Sequence, residues 1–373
     1  MIGACFFKRE STLTDGSIVL IFFGNLGDFV IWLAAARELR QNFYGRQITL
    51  CCPEAFANLA AKTSFFDQIV TAKATTTSYS SSFISSLLSQ WNLRRYFSDI
   101  ECDTLIQCFF VDDHIATAVK ARKRLCVSRY SRNIVSRAIA KLIYDEVLPF
   151  DMYNEHFLCQ QTHYLKKLGW NGTLRLQRLP TITLSPEICE KYFVIFPGSS
   201  DSTRRWSIEN FAQTAVITCL KYKLSCCICG SLNEKNLAAN IIHYANGRCK
   251  VTDKTGQTDV IELIELIRGA QFIITNDTSA VHIAVGSQTP AICIYGLWDS
   301  HKQVLPYPQT TESLPLPNLC FTKMTCNGCD LSYSSECLEC IRKTGRRLCI
   351  ESVPVNAVIK AIESIMPSQI NPS

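Results

Sequence analysis

Residues 17–28, SIVLIFFGNLGD, with the following FVIWLAAARELRQ at 29–41, decide the fold. A short apolar run with β-branched residues ends in a turn with glycines at 24 and 27. The apolar positions after it then recur at helical spacing. Strand, glycine turn and helix in that order form the opening unit of a parallel sheet covered by helices.

Working outward, the same alternation repeats. ITLCC at 48–52 reads as a strand, 54–62 as a helix, 68–70 as a strand, 104–110 as a strand, 114–123 as a helix and LCV at 125–127 as a strand. The polar stretch 71–84, TAKATTTSYSSSFI, interrupts the pattern and reads either as a surface connection or as a loop at the mouth of a cleft. A helix over 156–168 stops at Gly169. Residues 170–190 lose periodicity and contain two prolines, which marks a domain boundary.

A second series then begins. Strands are expected at 192–196, 224–229, 272–275 and 291–295, and helices at 208–221, 234–244, 259–268, 278–285 and 353–364. The expectation is an α/β chain of two doubly wound, Rossmann-like domains facing a central cleft, with ligands at the carboxyl ends of the strands. The domains are placed at 1–180 and 181–350, with a C-terminal helix and tail at 351–373.

Composition narrows the class. The 373 residues are 47% hydrophobic and 19% charged, enough for two buried cores. The N-terminal MIGACFFKREST has no apolar stretch of signal-peptide length, and no apolar run approaches the roughly 20 residues that cross a bilayer. Many of the twenty cysteines, such as Cys51, Cys52, Cys219, Cys226, Cys227, Cys229 and Cys293, sit in apolar runs, where a reduced thiol is a small hydrophobe. These features point to a cytoplasmic protein. The net charge of +6 is concentrated at Lys120, Arg122, Lys123, Arg124, Arg129, Arg132, Arg137 and Lys141, which reads as an anion-attracting patch or as a solvated helical face. Without interleaved aromatics or base-reading motifs, nucleic acid is not an expected partner.

Four strand-to-helix junctions carry candidate chemistry. In Gly24-Asn25-Leu26-Gly27-Asp28 the Asp28 carboxylate reads as a general base or as an N-cap. Phe196-Pro197-Gly198-Ser199-Ser200, followed by Thr203, Arg204, Arg205 and Trp206, offers backbone N–H groups and guanidinium donors to a diphosphate, or forms a basic turn with Trp206 packed inside. In Thr275-Asn276-Asp277-Thr278-Ser279-Ala280-Val281-His282, the N–H groups of Thr278, Ser279 and Ala280 form an anion site at a helix start. His282 reads as a phosphate contact or a buttress, and Asp277 as a helix cap or a residue that orders the loop. Gly230 and Glu234 could admit a nucleobase and reach a ribose, or Glu234 could simply favour its helix's first turn. Separately, Cys326, Cys329, Cys337 and Cys340 form a doubled CxxC that reads as a structural Zn or Fe site or as reduced surface cysteines in a cysteine-rich chain.

The motifs at 24–28, 197–206, 230–234 and 276–282, with Tyr295-Gly296 after the next strand, resemble the ADP-heptose:lipopolysaccharide heptosyltransferase family, glycosyltransferase family 9. The resemblance implies a GT-B fold, a nucleotide-sugar donor held mainly by the second domain, an acceptor-side first domain and metal-independent inversion at the sugar carbon. It implies no catalytic cofactor. It assigns Asp28 as general base, Arg205 as the basic residue before Trp206, and Thr278, Ser279 and His282 as diphosphate contacts, with Ser279 where the family commonly has Gly. The implied donor is ADP-heptose. The implied acceptor is lipopolysaccharide core, or a protein if the Cys-rich segment matches the metal-binding finger of some protein O-heptosyltransferases. Peripheral contact with the cytoplasmic face of the inner membrane follows for a lipopolysaccharide acceptor. A nucleotide-sugar epimerase and a non-enzymatic, metal-stabilised interaction protein are the competing readings.

Overall fold

The computed structural model describes residues 16–73, 94–109, 113–129, 134–150, 156–181, 190–296, 305, 307, 314–322 and 335–366. The chain divides into two compact units, Met1–Arg175 and Leu176–Ser373.

The first unit is built on six parallel strands: β1 (Ile18–Ile21), β2 (Ile48–Pro53), β3 (Gln68–Ala72), β4 (Glu101–Gln107), β5 (Lys120–Arg129) and β6 (Glu146–Phe150). They lie in the order β3-β2-β1-β4-β5-β6. β1 is wholly buried between β2 and β4, which explains its uninterrupted apolar run. The helix Leu26–Asn42 is apolar on nearly every side because nearly every side is covered. Its Phe29 and Trp32 join Phe22, Phe56 and Phe109 in a continuous aromatic cluster.

The second unit repeats the plan with β7 (Tyr192–Phe196), β8 (Ser225–Ile228), β9 (Val251–Asp253), β10 (Ile273–Asn276), β11 (Ala291–Ile294) and β12 (Asn318–Cys320). All neighbours are parallel, in the order β12-β11-β10-β7-β8-β9. Numbered within its own unit, each sheet therefore runs third, second, first, fourth, fifth, sixth. The chain reverses direction across the sheet between β1 and β4 in one unit and between β7 and β10 in the other. In sheets of this order the loops leaving the carboxyl ends of the strands at the reversal are the usual place for a ligand.

Several expectations need correction. The helix read over 114–123 ends at Ala118, and Lys120 already begins β5. Pairing with β4 and β6 decides this: Lys120 meets Glu101, Arg122 meets Asp103, and Lys123 meets Glu146. Lys120, Arg122 and Lys123 of the basic cluster thus lie on an inner strand with compensated charge and not on a helical face. The helix read from 29 starts at Leu26, since Asn25 takes the N-cap position. The units meet at 175/176, within the 170–190 boundary region, and the C-terminal helix packs into the second unit's core. There the helix Val355–Ile365 buries Val358 and Ile362 beside Trp206, Phe211 and Ile350. Burial of each such side chain stabilises by roughly 1.5–3 kcal/mol. β6, β9, β12 and the helix Ser335–Thr344 had no reading in the sequence. Most of the 71–84 stretch lies outside the described residues.

The cysteines behave as packing residues. All described cysteines are free, and all but Cys159, Cys249 and Cys340 are buried. Burial pushes the thiols of Cys52, Cys102, Cys108 and Cys219 up to about 12. Among the described residues no helix is long and apolar enough to cross a membrane.

Candidate functional site

In the second unit the loops after β7 and β10 are joined at the point where the strand order reverses. The link is Asn276, the last residue of β10, which is fully buried. Its Nδ2 donates to the Pro197 carbonyl at 2.7 Å and more weakly to that of Gly198 at 3.4 Å. Its Oδ1 accepts from the Trp206 backbone N–H at 3.0 Å. One amide therefore pins both ends of the 197–206 loop. Sequence reading quoted Asn276 without giving it a role.

Between those anchors the loop folds on itself. Arg205 directs Nε and Nη2 at the Ser199 carbonyl, 3.2 and 2.8 Å away. Ser199 is buried and Ser200 exposed, so the two serines do not present equivalent side chains. Trp206 packs into the core and donates Nε1–H to the Val353 carbonyl at 2.9 Å, as its packed reading required.

Glu234 borders the same loop. Its Oε2 accepts from the Ser231 N–H at 2.7 Å and the Ser231 hydroxyl at 3.0 Å, closing a capping box on the turn after β8. Its other oxygen leans on Gly198: a Cβ built there would stand 1.5 Å from Oε1. A Cβ on Gly230 would stand 2.8 Å from Oε2. Both glycines are thus required by the close approach of one carboxylate. The cap reading of Glu234 holds, and the carboxylate also lies against the 197–206 loop.

The helix Ser279–Gly286 begins after β10, with Thr278 as N-cap. Thr278 Oγ1 accepts from the Ala280 N–H at 3.3 Å. That corrects the expectation of three N–H groups turned outward, because the cap already takes Ala280. His282 is buried, and its Nδ1 is hydrogen-bonded to the Tyr307 hydroxyl. This is the buttress arrangement, and nothing in the sequence signalled Tyr307 as the partner. Burial, then the negative charge of Asp277, pushes the Tyr307 hydroxyl far above its ordinary value, so it remains protonated. Asp277 is buried beside this pair, one residue before the Thr278 N-cap.

In the first unit, Asp28 is the third residue of its helix and half-buried. Its Oδ2 accepts from the Asn25 N–H at 3.3 Å and the Asn25 side-chain amide at 3.1 Å. The carboxylate thus sits in the first turn, at the positive end of the helix dipole. Gly24 is held beneath Phe109, whose ring atoms would be 2.7 Å from an added Cβ. The turn that presents Asp28 is therefore braced by the aromatic core. Asp28 can act as a base, and it also caps.

Of the proposed metal ligands, Cys326, Cys329 and the side chain of Cys337 lie outside the described residues. Cys340, on the helix Ser335–Thr344, directs its Sγ to the Arg346 carbonyl at 3.5 Å.

A model of glycosyltransferase family 9 (heptosyltransferase) matches residues 114–324, more than half of the chain. The lipopolysaccharide core heptosyltransferase OpsX of Haemophilus influenzae is 27% identical over 111 residues, which is 29% of this chain and 31% of that relative. Two solved structures share the fold over nearly the whole length. The family 9 glycosyltransferase of Veillonella parvula is 17% identical with a TM-score of 0.69, covering 96% of this chain and 99% of its own. Escherichia coli heptosyltransferase WaaC, solved with ADP-2-deoxy-2-fluoro heptose, is 15% identical with a TM-score of 0.66, covering 93% and 99%. These likenesses give two parallel-sheet α/β domains of the GT-B class.

Proposed function

The chain belongs to glycosyltransferase family 9, and from that premise we propose that it transfers a heptose from ADP-heptose to a hydroxyl of lipopolysaccharide inner core. The observation that carries this reading is the junction in the second unit, where Asn276 joins the 197–206 loop to the start of the helix Ser279–Gly286. Arg205, the exposed Ser200 and the dipole of that helix supply fixed positive potential suited to a diphosphate. Glu234 Oε1, beside Gly198, is the acid for the ribose side of the nucleotide.

On this reading the acceptor oxygen attacks the anomeric carbon opposite the departing diphosphate, so the configuration inverts. Asp28 takes the acceptor proton as the new C–O bond forms. The electron pair of the breaking bond goes to the nucleotide diphosphate. Arg205, the Ser279 N–H and the helix dipole stabilise the growing charge, a task that would otherwise fall to a metal. Thr278 and His282 shape that helix start by capping and buttressing it. Any Zn or Fe on Cys326, Cys329, Cys337 and Cys340 is structural on this reading. A cytoplasmic enzyme meeting its acceptor at the inner membrane would dock through the basic 120–141 segment, in which Lys141 is exposed.

The test is mass-resolved turnover of ADP-heptose and other nucleotide sugars, with chelator present, against lipopolysaccharide core and protein acceptors separately. A heptose-sized gain on the core supports the reading. Gain on a protein alone replaces it with protein O-glycosylation, donor conversion without acceptor gain replaces it with epimerisation or hydrolysis, and absence of both turnover and nucleotide affinity leaves an interaction protein.

A further inference from the structure

We propose that Arg347 is a positioning residue for the 199–205 loop: from 146 residues away it fixes Asp201 and Thr203 and thereby aims Arg205. Arg347 is only 3% exposed. It makes three contacts with one short turn. Its Nε donates to Thr203 Oγ1 at 3.0 Å, its Nη2 to Asp201 Oδ2 at 3.2 Å, and its backbone N–H to the Thr203 carbonyl at 3.4 Å. Thr203 Oγ1 in turn donates to Asp201 Oδ1 at 2.7 Å, and the Thr203 N–H donates to the same oxygen at 2.9 Å.

These bonds close a ring of donors and acceptors around the turn Ser202–Arg204, whose next residue is Arg205. The Arg205 N–H bonds back to the Ser202 carbonyl while its guanidinium reaches Ser199. The direction of the Arg205 side chain therefore depends on a turn that Arg347 holds from beneath. A planar fork is needed, because two acceptors in different directions must be met from one rigid group. A lysine ammonium would present a single point of charge on a flexible stem.

The charge state supports the geometry. Burial works against ionised Asp201, but the Thr203 hydrogen bonds and the charges of Arg347 and Arg204 outweigh it and hold its carboxyl below the ordinary range. Arg347 itself is placed by the turn after the helix Ser335–Thr344. There Thr344 Oγ1 and Cys340 Sγ both bond to the Arg346 carbonyl. The Cys-bearing helix thus holds the carbonyl of the residue that precedes Arg347.

The inference rests on reading 197–206 as the donor-phosphate loop. It is tested on the full chain with Arg347→Met, Arg347→Lys and Asp201→Asn, by amide hydrogen exchange at Thr203 and Arg205 and by transfer from ADP-heptose per folded active site. Arg347→Met is expected to speed exchange at both amides by roughly tenfold or more. It should lower kcat by a similar factor, with a smaller change in donor KM, because Arg205 acts on charge that develops in the transition state. Arg347→Lys should recover part of the loss. Asp201→Asn should reproduce it, and the double variant Arg347→Met with Asp201→Asn should be no worse than the poorer single. Unchanged exchange in folded Arg347→Met, additive losses in the double variant, or a drop in stability with wild-type kcat per active site would overturn the proposal. If the wild type fails to use ADP-heptose, the functional reading falls, while exchange at Thr203 and Arg205 still decides whether Arg347 holds the loop.

Discussion

Replacing Asn276 by Asp changes one atom's chemistry at the centre of the second unit. The wild-type amide donates to Pro197 and Gly198 and accepts from Trp206 while fully buried. A carboxylate keeps the acceptor for Trp206 but turns an anion toward two carbonyl oxygens. Losing the donor to the Pro197 carbonyl costs about 1–3 kcal/mol. Burying an unpaired anion adds to that until the group protonates, which raises its pKa in the folded state. A deficit of about 3–5 kcal/mol at neutral pH follows. For a unit of this size that lowers Tm by on the order of 10 °C. The sign of the pH dependence is fixed. A carboxyl whose folded pKa is raised gives least penalty below its unfolded pKa of about 4, where the acid form can donate to Pro197. The penalty grows as pH rises through the folded value. Thermal unfolding of Asn276→Asp and wild type from pH 4 to pH 8, read by tryptophan fluorescence, should therefore diverge with rising pH. ADP affinity of the variant should fall in parallel. A variant as stable as wild type at pH 8, or a deficit independent of pH, would refute the assignment of Asn276 as the clasp between the two loops.

Three further outcomes are expected. Gly198→Ala, whose new Cβ meets Glu234 Oε1 at 1.5 Å, should weaken ADP binding by roughly tenfold or more, measured by calorimetry, and Gly230→Ala, facing a movable oxygen at 2.8 Å, should cost less. Asp28→Asn should lower kcat by roughly 10²–10⁴ in the mass-resolved assay; the loss of its cap to Asn25 should change stability by only about 1 kcal/mol. Under iodoacetamide at pH 8, Cys52, Cys102, Cys108 and Cys219 should remain unmodified until the chain unfolds, because burial both blocks them and pushes their thiols up to about 12; of the described cysteines, Cys159, Cys249 and Cys340 should react first, and peptide mass mapping reads the order.

The parts of the fold that were legible are those whose cause is local. β1, β7 and β10 are buried on both faces, so their apolar runs stand out, and each ends in small or polar residues before a helix. Edge elements gave weaker signals for the same physical reason. β9 and β12, three residues each, form the two ends of their sheet; β5 lies between β4 and β6, and its basic residues are explained only by the carboxylates of those neighbours. Lys120 to Lys123 look helical until Glu101, Asp103 and Glu146 are set beside them.

The candidate site divides along the same line. Asp28, Arg205, Thr278 and Glu234 each occupy a turn directly after a parallel strand, and the sheet order brings the β7 and β10 turns to the point where the chain reverses. Local sequence is enough to find such residues. What holds them is remote: Asn276 lies 70 residues from Trp206, Tyr307 lies 25 from His282, and Arg347 lies 146 from Asp201. An orienting partner needs only the right donor at the right distance in space, so no spacing rule reveals it. The consequence is that a change at Asn276 or Arg347 is expected to loosen the 197–206 segment while every motif residue remains in place, so intact motifs alone do not fix the geometry of that loop.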